Sequence, residues 1–185
     1  MDEELRKITK SLLEASAHIS ADYIQLPVAN SNSVVYRERV YCYELYHNWR
    51  CNWPAGFQFS LAGELDKRGH PVIHNGGIPD FLIHIPGEMK NLLAMEVKPW
   101  KRAAHVKPSN EHVTEMVKDL VKLTKYRQVV QYHAAYFWVY GMPLEAWAEL
   151  RRRIRDNATD TIDWSQVICF AHSTQGQRAC KLEWE

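Results

Sequence analysis

The pattern of apolar and polar positions along the chain alternates between helical and strand periods. Helical spacing predicts helices over residues 2–18, about 35–50, 109–127 and 143–155. Strand-like apolar runs bounded by turn residues predict strands over residues 57–65, 81–85, 92–97, 134–140, 166–172 and 177–184. The predicted order of elements is therefore α-α-β-β-β-α-β-α-β-β, and Ser33 is the predicted N-cap of the second helix.

This order predicts an α/β fold, more closely an α+β sandwich with a mixed central sheet flanked by helices. Short connections between the first three strands predict an antiparallel meander. The helix at 109–127 can cross one face of the sheet before the next strand begins. We see no internal repeat and no Gly/Ser-rich linker, which predicts a single domain over residues 1–185, with a core at about 35–141 and a C-terminal helix and strands at 143–184.

Composition narrows the class of protein but does not identify a partner. The 185 residues are 46% hydrophobic and 24% charged, which is typical of a globular chain, and the net charge is only +1. Any evidence for a polyanionic partner must therefore be local. The four cysteines form no C-x-x-C pair, so buried reduced thiols are expected rather than a zinc site. No apolar run suggests a signal peptide or a membrane partner, which predicts a cytoplasmic protein.

Two short segments on neighbouring predicted strands bring charged side chains together: Pro79-Asp80 and Glu96-Val97-Lys98. Glu96 and Lys98 are two residues apart, so they point to the same face of their strand. A charged pair within an apolar strand is costly to bury without a partner or an ion, and carboxylate oxygens are ligands that hard divalent cations prefer. The alternative is that Glu96 and Lys98 form an exposed pair at the edge of the sheet.

A third carboxylate, Glu38, is expected to join this site from the second helix. Helical spacing places it on the same face as four largely apolar residues: Tyr41, Cys42, Leu45 and Trp49. Glu44 lies about 120° away around the helix, where exposure to solvent is expected. The alternative for Glu38 is a first-turn acid stabilised by the helix dipole.

Basic residues follow the Glu-Val-Lys triplet. Residues 99–107 contain no acid, and Lys122 shares a helix face with Lys118 and Lys125. A basic rim beside a carboxylate site suits a nucleic-acid backbone, so we expect Lys101, Arg102 and Lys122 to bind nucleic acid. The alternative for the helix lysines is a solvated face. The aromatic residues at 41–53 and 136–140 have core spacing and are expected to pack inside the protein.

These motifs, in this order of elements, resemble the PD-(D/E)XK nuclease superfamily, whose fold is restriction-endonuclease-like with an α-β-β-β-α-β core. The resemblance covers residues 35–141 approximately. It implies that Asp80, Glu96 and the backbone carbonyl of Val97 bind magnesium, with help from Glu38. It also implies that Lys98 positions or activates the attacking water.

The resemblance implies a Mg²⁺-dependent nuclease, with Mn²⁺ as the alternative ion, that hydrolyses phosphodiester bonds in DNA. A compact catalytic domain with no recognisable reader domain suggests structure-directed cleavage or a helper subunit of a larger system. A homodimer is also expected, because cutting two strands with one site per chain is easiest with two copies. A second interpretation is a catalytically inactive nucleic-acid-binding or scaffold protein with the same fold. A third is a metal hydrolase acting on a small phosphorylated substrate, although the chain has no Gly-rich phosphate loop.

Overall fold

The computed structural model describes residues 1–63, 77–101, 108–158 and 161–185. Its helices are α1 (Asp2–Ala17), α2 (Ala21–Ile24), α3 (Glu38–Cys51), α4 (Asn110–Gln128) and α5 (Trp147–Asn157), with a 3-10 turn at Leu144–Ala146. Its strands are β1 (Leu26–Pro27), β2 (Val34–Val35), β3 (Ser60–Gly63), β4 (Phe81–His84), β5 (Asn91–Pro99), β6 (Ala134–Tyr140), β7 (Val167–His172) and β8 (Cys180–Leu182). The protein is therefore of mixed α/β class.

Six of the strands form one mixed sheet in the order β3-β4-β5-β6-β7-β8. Strands β3, β4 and β5 are antiparallel, as expected for a meander, and Gly87 with φ +80° lies in the turn between β4 and β5. Strands β5, β6 and β7 are parallel, because α4 and α5 provide the crossovers between them. Strand β8 returns antiparallel to β7.

Helices cover both faces of the sheet, and each face has its own apolar core. Alternate side chains of β5, including Met95 and Val97, point to one face of the sheet and pack in a core with the buried residues of α1 and α3. Ala94 points to the opposite face of the sheet and packs in a second core with buried residues of α4 and α5. Within the described ranges, no helix combines the length and the apolar character needed to cross a membrane.

Helix α3 is fixed to the sheet by a buried aromatic network around Tyr41. The indole N–H of Trp138 donates to the hydroxyl of Tyr41 at 2.8 Å, and that hydroxyl lies 2.9 Å from Nδ1 of His172. The ring of Tyr41 also stacks on Tyr140 with centroids 3.9 Å apart. Because Glu38 is one turn before Tyr41, this network sets where the Glu38 carboxylate meets the sheet.

The start of α4 is held at the end of β5. Ser109 caps the helix, since its hydroxyl oxygen accepts a hydrogen bond from the backbone N–H of His112 at 3.1 Å. The buried His112 ring donates from Nε2 to the carbonyl of Pro99, the last residue of β5, at 2.7 Å. The side chains two to three turns further along α4 consequently reach the face of β5 that carries Glu96.

Several predicted boundaries are wrong. Helix α3 begins at Glu38 with Arg37 as its N-cap, not near residue 35 with Ser33 as the cap. The reason is that the β-branched pair Val34–Val35 forms an antiparallel pair with Leu26–Pro27 instead of a helical turn.

Strand lengths also differ from the prediction. Strand β3 begins only at Ser60, where its pairing with β4 starts opposite His84, and residues 64–65 of the predicted strand lie outside the described residues. Strand β5 continues to Pro99, because its parallel pairing with β6 extends that far. The segment beginning at 143 first forms a 3-10 turn, and α5 proper begins at Trp147. The final strand covers only Cys180–Leu182, since its pairing with β7 is limited to those residues.

Candidate active site on strand β5

Strand register brings Asp80 and Glu96 side by side. Phe81 on β4 lies opposite Met95 on β5, so the antiparallel register carried one residue further places Asp80 beside Glu96. The structure fixes this arrangement with a hydrogen bond, because the backbone N–H of Val97 donates to Oδ2 of Asp80 at 2.7 Å. The two carboxylates therefore belong to one cluster.

Lys98 lies on the same strand face as Glu96 and contacts carboxylates from both helical layers. Its Nζ is 2.8 Å from Oε2 of Glu38 on α3 and 3.3 Å from Oδ2 of Asp119 on α4. Glu96 is only 2% exposed, and β5 is paired on both sides, by β4 and β6. The alternative of an exposed edge pair is therefore wrong.

A second lysine, Lys122 on α4, lies against the other side of the cluster. Its Nζ is 2.6 Å from Oε1 of Glu96 and 3.2 Å from Oδ1 of Asp119. Oε1 of Glu96 and Oδ2 of Asp119 are both buried, and each lies within ion-pair distance of an ammonium group. A carboxylate oxygen has more than one lone pair, so each of these oxygens can accept a further contact.

The sequence reasoning did not select Asp119 as a carboxylate of the site. A usable signal existed, because Asp119 lies on the stripe of α4 that contains the buried residues Met116, Leu120 and Leu123. A carboxylate within an apolar helical stripe is the pattern that selected Glu38 on α3.

The cluster carries excess negative charge. Four carboxylates, those of Glu38, Asp80, Glu96 and Asp119, face the ammonium groups of Lys98 and Lys122. With every group ionised, the four negative and two positive charges of these described residues leave a formal charge of −2. Such an excess is unfavourable in a buried setting, because burial strengthens repulsion between like charges.

The pKa values of the two central acids reflect burial first and this repulsion second. Burial, followed by the charge of Glu38, raises the pKa of Asp80 to about 6, and the hydrogen bond from Val97 offsets only part of that shift. Burial, followed by the charges of Asp80 and Asp119, raises the pKa of Glu96 well above its usual value. Both carboxylates would be stabilised in their ionised form by an added cation.

The two lysines remain protonated at neutral pH. Burial lowers the pKa of Lys98, but the charges of Asp119 and Glu38 outweigh it, so the pKa is raised above the usual value. The pKa of Lys122 is raised by Glu96 and Asp119 against the same opposing effect of burial. Lys98 can therefore donate hydrogen bonds and supply positive charge, but it is not poised to act as a general base.

The donor set of the cluster fits a hard divalent cation. Its acceptors are carboxylate oxygens, and the excess negative charge of the described residues equals the positive charge of one such ion. Within the described residues, however, no three His, Cys, Asp or Glu side chains converge as a preformed metal cage. The lysines lie between the carboxylates instead. Asp80, Glu96 and the carbonyl of Val97 are the groups that would hold the ion.

The three residues predicted to bind nucleic acid do not form one exposed basic rim in the part of the chain that the structure describes. The ammonium of Lys101 lies 4.7 Å from the centroid of the Trp100 ring, and Lys122 points into the carboxylate cluster rather than along an exposed rim. Lys118 and Lys125 are exposed. Arg102 lies outside the described residues.

The expectation that the aromatic residues at 41–53 all pack inside the protein is wrong for two of them. Trp49 is fully buried, as expected, but Tyr43 is 61% exposed and Tyr46 is 36% exposed. The reason is helical phase, because Tyr43 lies on the side of α3 away from the buried Tyr41 and Trp49. Tyr46 lies at the border of the buried face, where its ring meets Phe81.

The raised pKa of Asp80 predicts how an Asp80→Asn variant changes stability in chelator. An aspartate whose pKa is about 6 in the folded protein, against an ordinary value of 3.8, binds its proton more tightly when folded. The wild type therefore loses stability as pH rises from about 4 to 6, and its deficit persists above that range. At pH 7.5 we expect Asp80→Asn to be more stable by about 1–3 kcal/mol.

Urea unfolding between pH 4 and 7.5 measures this difference. The control is Asp156→Asn, because Asp156 is exposed on α5 in an ion pair with Arg152. An Asp80→Asn variant less stable than the wild type at pH 7.5 would show that burial and the neighbouring carboxylates do not make the ionised form of Asp80 unfavourable.

Comparison of the chain with protein-family models, with curated proteins and with solved structures found no significant match. The interpretation of the site therefore depends on the geometry of its four carboxylates and two lysines.

Proposed function

We propose that the protein is a divalent-cation-dependent nuclease with a restriction-endonuclease-like core, hydrolysing phosphodiester bonds in DNA. The observation that carries this proposal is the convergence of Asp80, Glu96 and Lys98 in a buried cluster with a formal charge of −2. A site that cleaves a phosphodiester needs a cation to offset the charge of the phosphate and a hydrogen-bond donor to position the attacking water. In this cluster the carboxylates can bind the cation, and Lys98 can be the donor.

The order of elements supports the same proposal. Helix α3 with Glu38 is followed by β3, by β4 directly after Asp80, by β5 with the Glu-Val-Lys triplet, by α4 and by β6. This is the α-β-β-β-α-β order that the resemblance to PD-(D/E)XK nucleases implies. Glu38 and Lys98, which are 60 residues apart in the chain, are in contact in the structure.

Each residue of the cluster has a role that follows from its position. Asp80, Glu96 and the Val97 carbonyl would hold Mg²⁺ or Mn²⁺. Such an ion lowers the pKa of a bound water and offsets negative charge on phosphate oxygens. Glu38 holds the Lys98 ammonium at 2.8 Å, so that Lys98 can donate to the attacking water or to a phosphate oxygen.

One observation favours a second candidate, a nucleic-acid-binding protein without catalysis. The ammonium of Lys122 lies 2.6 Å from Glu96, where it neutralises a carboxylate that the nuclease needs as a ligand. If Lys122 keeps that position in the presence of Mg²⁺, the cluster is structural. This candidate predicts binding that does not depend on divalent ions and survives Glu96→Ala.

A cleavage screen separates the two candidates. Wild-type protein is incubated with single-stranded, duplex and branched DNA and with RNA, in Mg²⁺, in Mn²⁺ and in chelator. We expect cleavage of at least one DNA form that requires the divalent ion. If none of these substrates is cut under any condition, the nuclease proposal fails.

A further inference from the structure

An exposed stripe of basic and aromatic residues runs along α3. Arg39, Tyr43, Tyr46 and Arg50 are spaced i, i+4, i+7 and i+11, so they share one helix face, and all four are exposed. This face extends about 16 Å along the helix axis. It begins one residue after Glu38, at the edge of the carboxylate cluster. We call it the α3 stripe.

An open groove lies beside the stripe, between α3 and strands β3 and β4. It has a volume of about 320 Å³, and its lining consists of Cys42, Tyr43, Tyr46, Gly63, Asp80 and Phe81. The rings of Tyr46 and Phe81 are nearly parallel, with an interplanar angle of 7° and centroids 6.4 Å apart. Phe81 is only 2% exposed, so Tyr46, which is 36% exposed and braced against Phe81, is the ring of this pair that can pack against a planar ligand.

The glycine in the groove wall keeps this space open. A Cβ at Gly63 would lie 3.7 Å from the backbone oxygen of Asp80 and 3.9 Å from the ring of Tyr46. These are ordinary contact distances, so a side chain at this position would cover the groove wall without straining the fold.

The groove is continuous with the candidate active site, because Asp80 lines the groove and also belongs to the carboxylate cluster. The nearby carboxylates of Asp80 and Glu38 disfavour a phosphate inside the groove, whereas a neutral planar ring meets no such repulsion. Arg39 and Arg50, at the two ends of the stripe, place positive charge where a phosphate backbone can pass.

We propose that the groove binds an unpaired nucleobase and that the α3 stripe carries the adjoining strand, so the substrate is single-stranded nucleic acid. This inference rests on the proposed nuclease function. Bases within a duplex are stacked and paired, and they reach a side groove only after being flipped out at a cost in free energy. Alternating aromatic and basic residues along a surface form the usual platform for single strands, because every base has a face that can stack.

Binding of fluorescently labelled oligonucleotides in chelator, measured by anisotropy, tests the inference without cleavage. We expect single-stranded oligonucleotides to bind more tightly than a duplex of the same length. Tyr43→Ala and Tyr46→Ala should each weaken single-strand binding about 5- to 150-fold. Tyr46→Phe should retain most of the affinity, because its ring can still stack. Tyr23→Ala is the matched control, since Tyr23 on α2 is 38% exposed and lies outside the stripe.

The outcomes distinguish this inference from the nuclease proposal. Equal affinity in the wild type and both alanine variants, tighter binding of the duplex, or no binding of either form would overturn the groove assignment. Self-association that is lost in Tyr43→Ala would also overturn it, since the groove would then hold a second copy of the chain. Tyrosine-dependent binding with no cleavage under any metal condition would instead support the groove and reject the nuclease. DNA and RNA single strands are compared in parallel, and either one satisfies the inference.

Discussion

Glu96→Gln is expected to reduce divalent-dependent cleavage by at least about 10³-fold while the fold is retained. The substitution keeps the size of the side chain and removes its charge. Glu96 is 2% exposed on strand β5, which is paired on both sides, so its carboxylate has a fixed position in the cluster. Single-turnover cleavage rates in Mg²⁺ give the effect, and circular dichroism checks the fold.

A matched control is Glu44→Gln on α3. Glu44 accepts a hydrogen bond from the amide of Asn48 at 3.1 Å, and a glutamine oxygen can accept the same bond. Its cleavage rate should remain within about twofold of the wild type. A Glu96→Gln variant as active as this control would remove Glu96 from the catalytic site.

Lys122→Met is expected to lower the free energy of unfolding by about 2–4 kcal/mol in chelator. It should also make that free energy increase more steeply with Mg²⁺ than it does in the wild type. Without the ammonium, Glu96 and Asp119 lose the partner that lies 2.6 Å and 3.2 Å away. Removing one partner of a buried ion pair leaves an uncompensated charge, which costs more than the pair contributes. A divalent ion can then replace the missing positive charge and restore part of the stability.

Urea unfolding in chelator and at increasing Mg²⁺ measures both effects. The matched control is Lys125→Met, one turn further along α4, where the side chain is exposed. Lys125→Met should lie within about 0.5 kcal/mol of the wild type. If Lys122→Met is as stable as the wild type in chelator, or if Mg²⁺ stabilises it no more than the wild type, then Lys122 does not offset the negative charge of Glu96 and Asp119.

The core of the candidate site was predictable from the sequence because it depends on local periodicity. Alternation along a strand places Glu96 and Lys98 on one face, and a short turn between β4 and β5 sets the register that brings Asp80 beside Glu96. Helical phase places Glu38 on the apolar side of α3. Each of these rules involves residues near one another in the chain or on strands joined by a tight turn.

The rest of the site depends on how elements pack, which local periodicity does not determine. Lys122 and Lys125 share a face of α4, yet only Lys122 lies where a long side chain can reach Glu96 across the helix–sheet interface. Asp119 enters the cluster for the same reason. The exposure of Tyr43 depends on which side of α3 the sheet covers, and the prediction of a packed aromatic cluster treated both sides alike.

The most direct test of the central claim is cleavage of labelled single-stranded, duplex and branched DNA by wild-type and Asp80→Asn protein, purified in the same way, in Mg²⁺ and in chelator. The account predicts shortened product from the wild type in Mg²⁺ only, and none from Asp80→Asn in either condition. Product from both proteins at equal rates, or from neither, would contradict it.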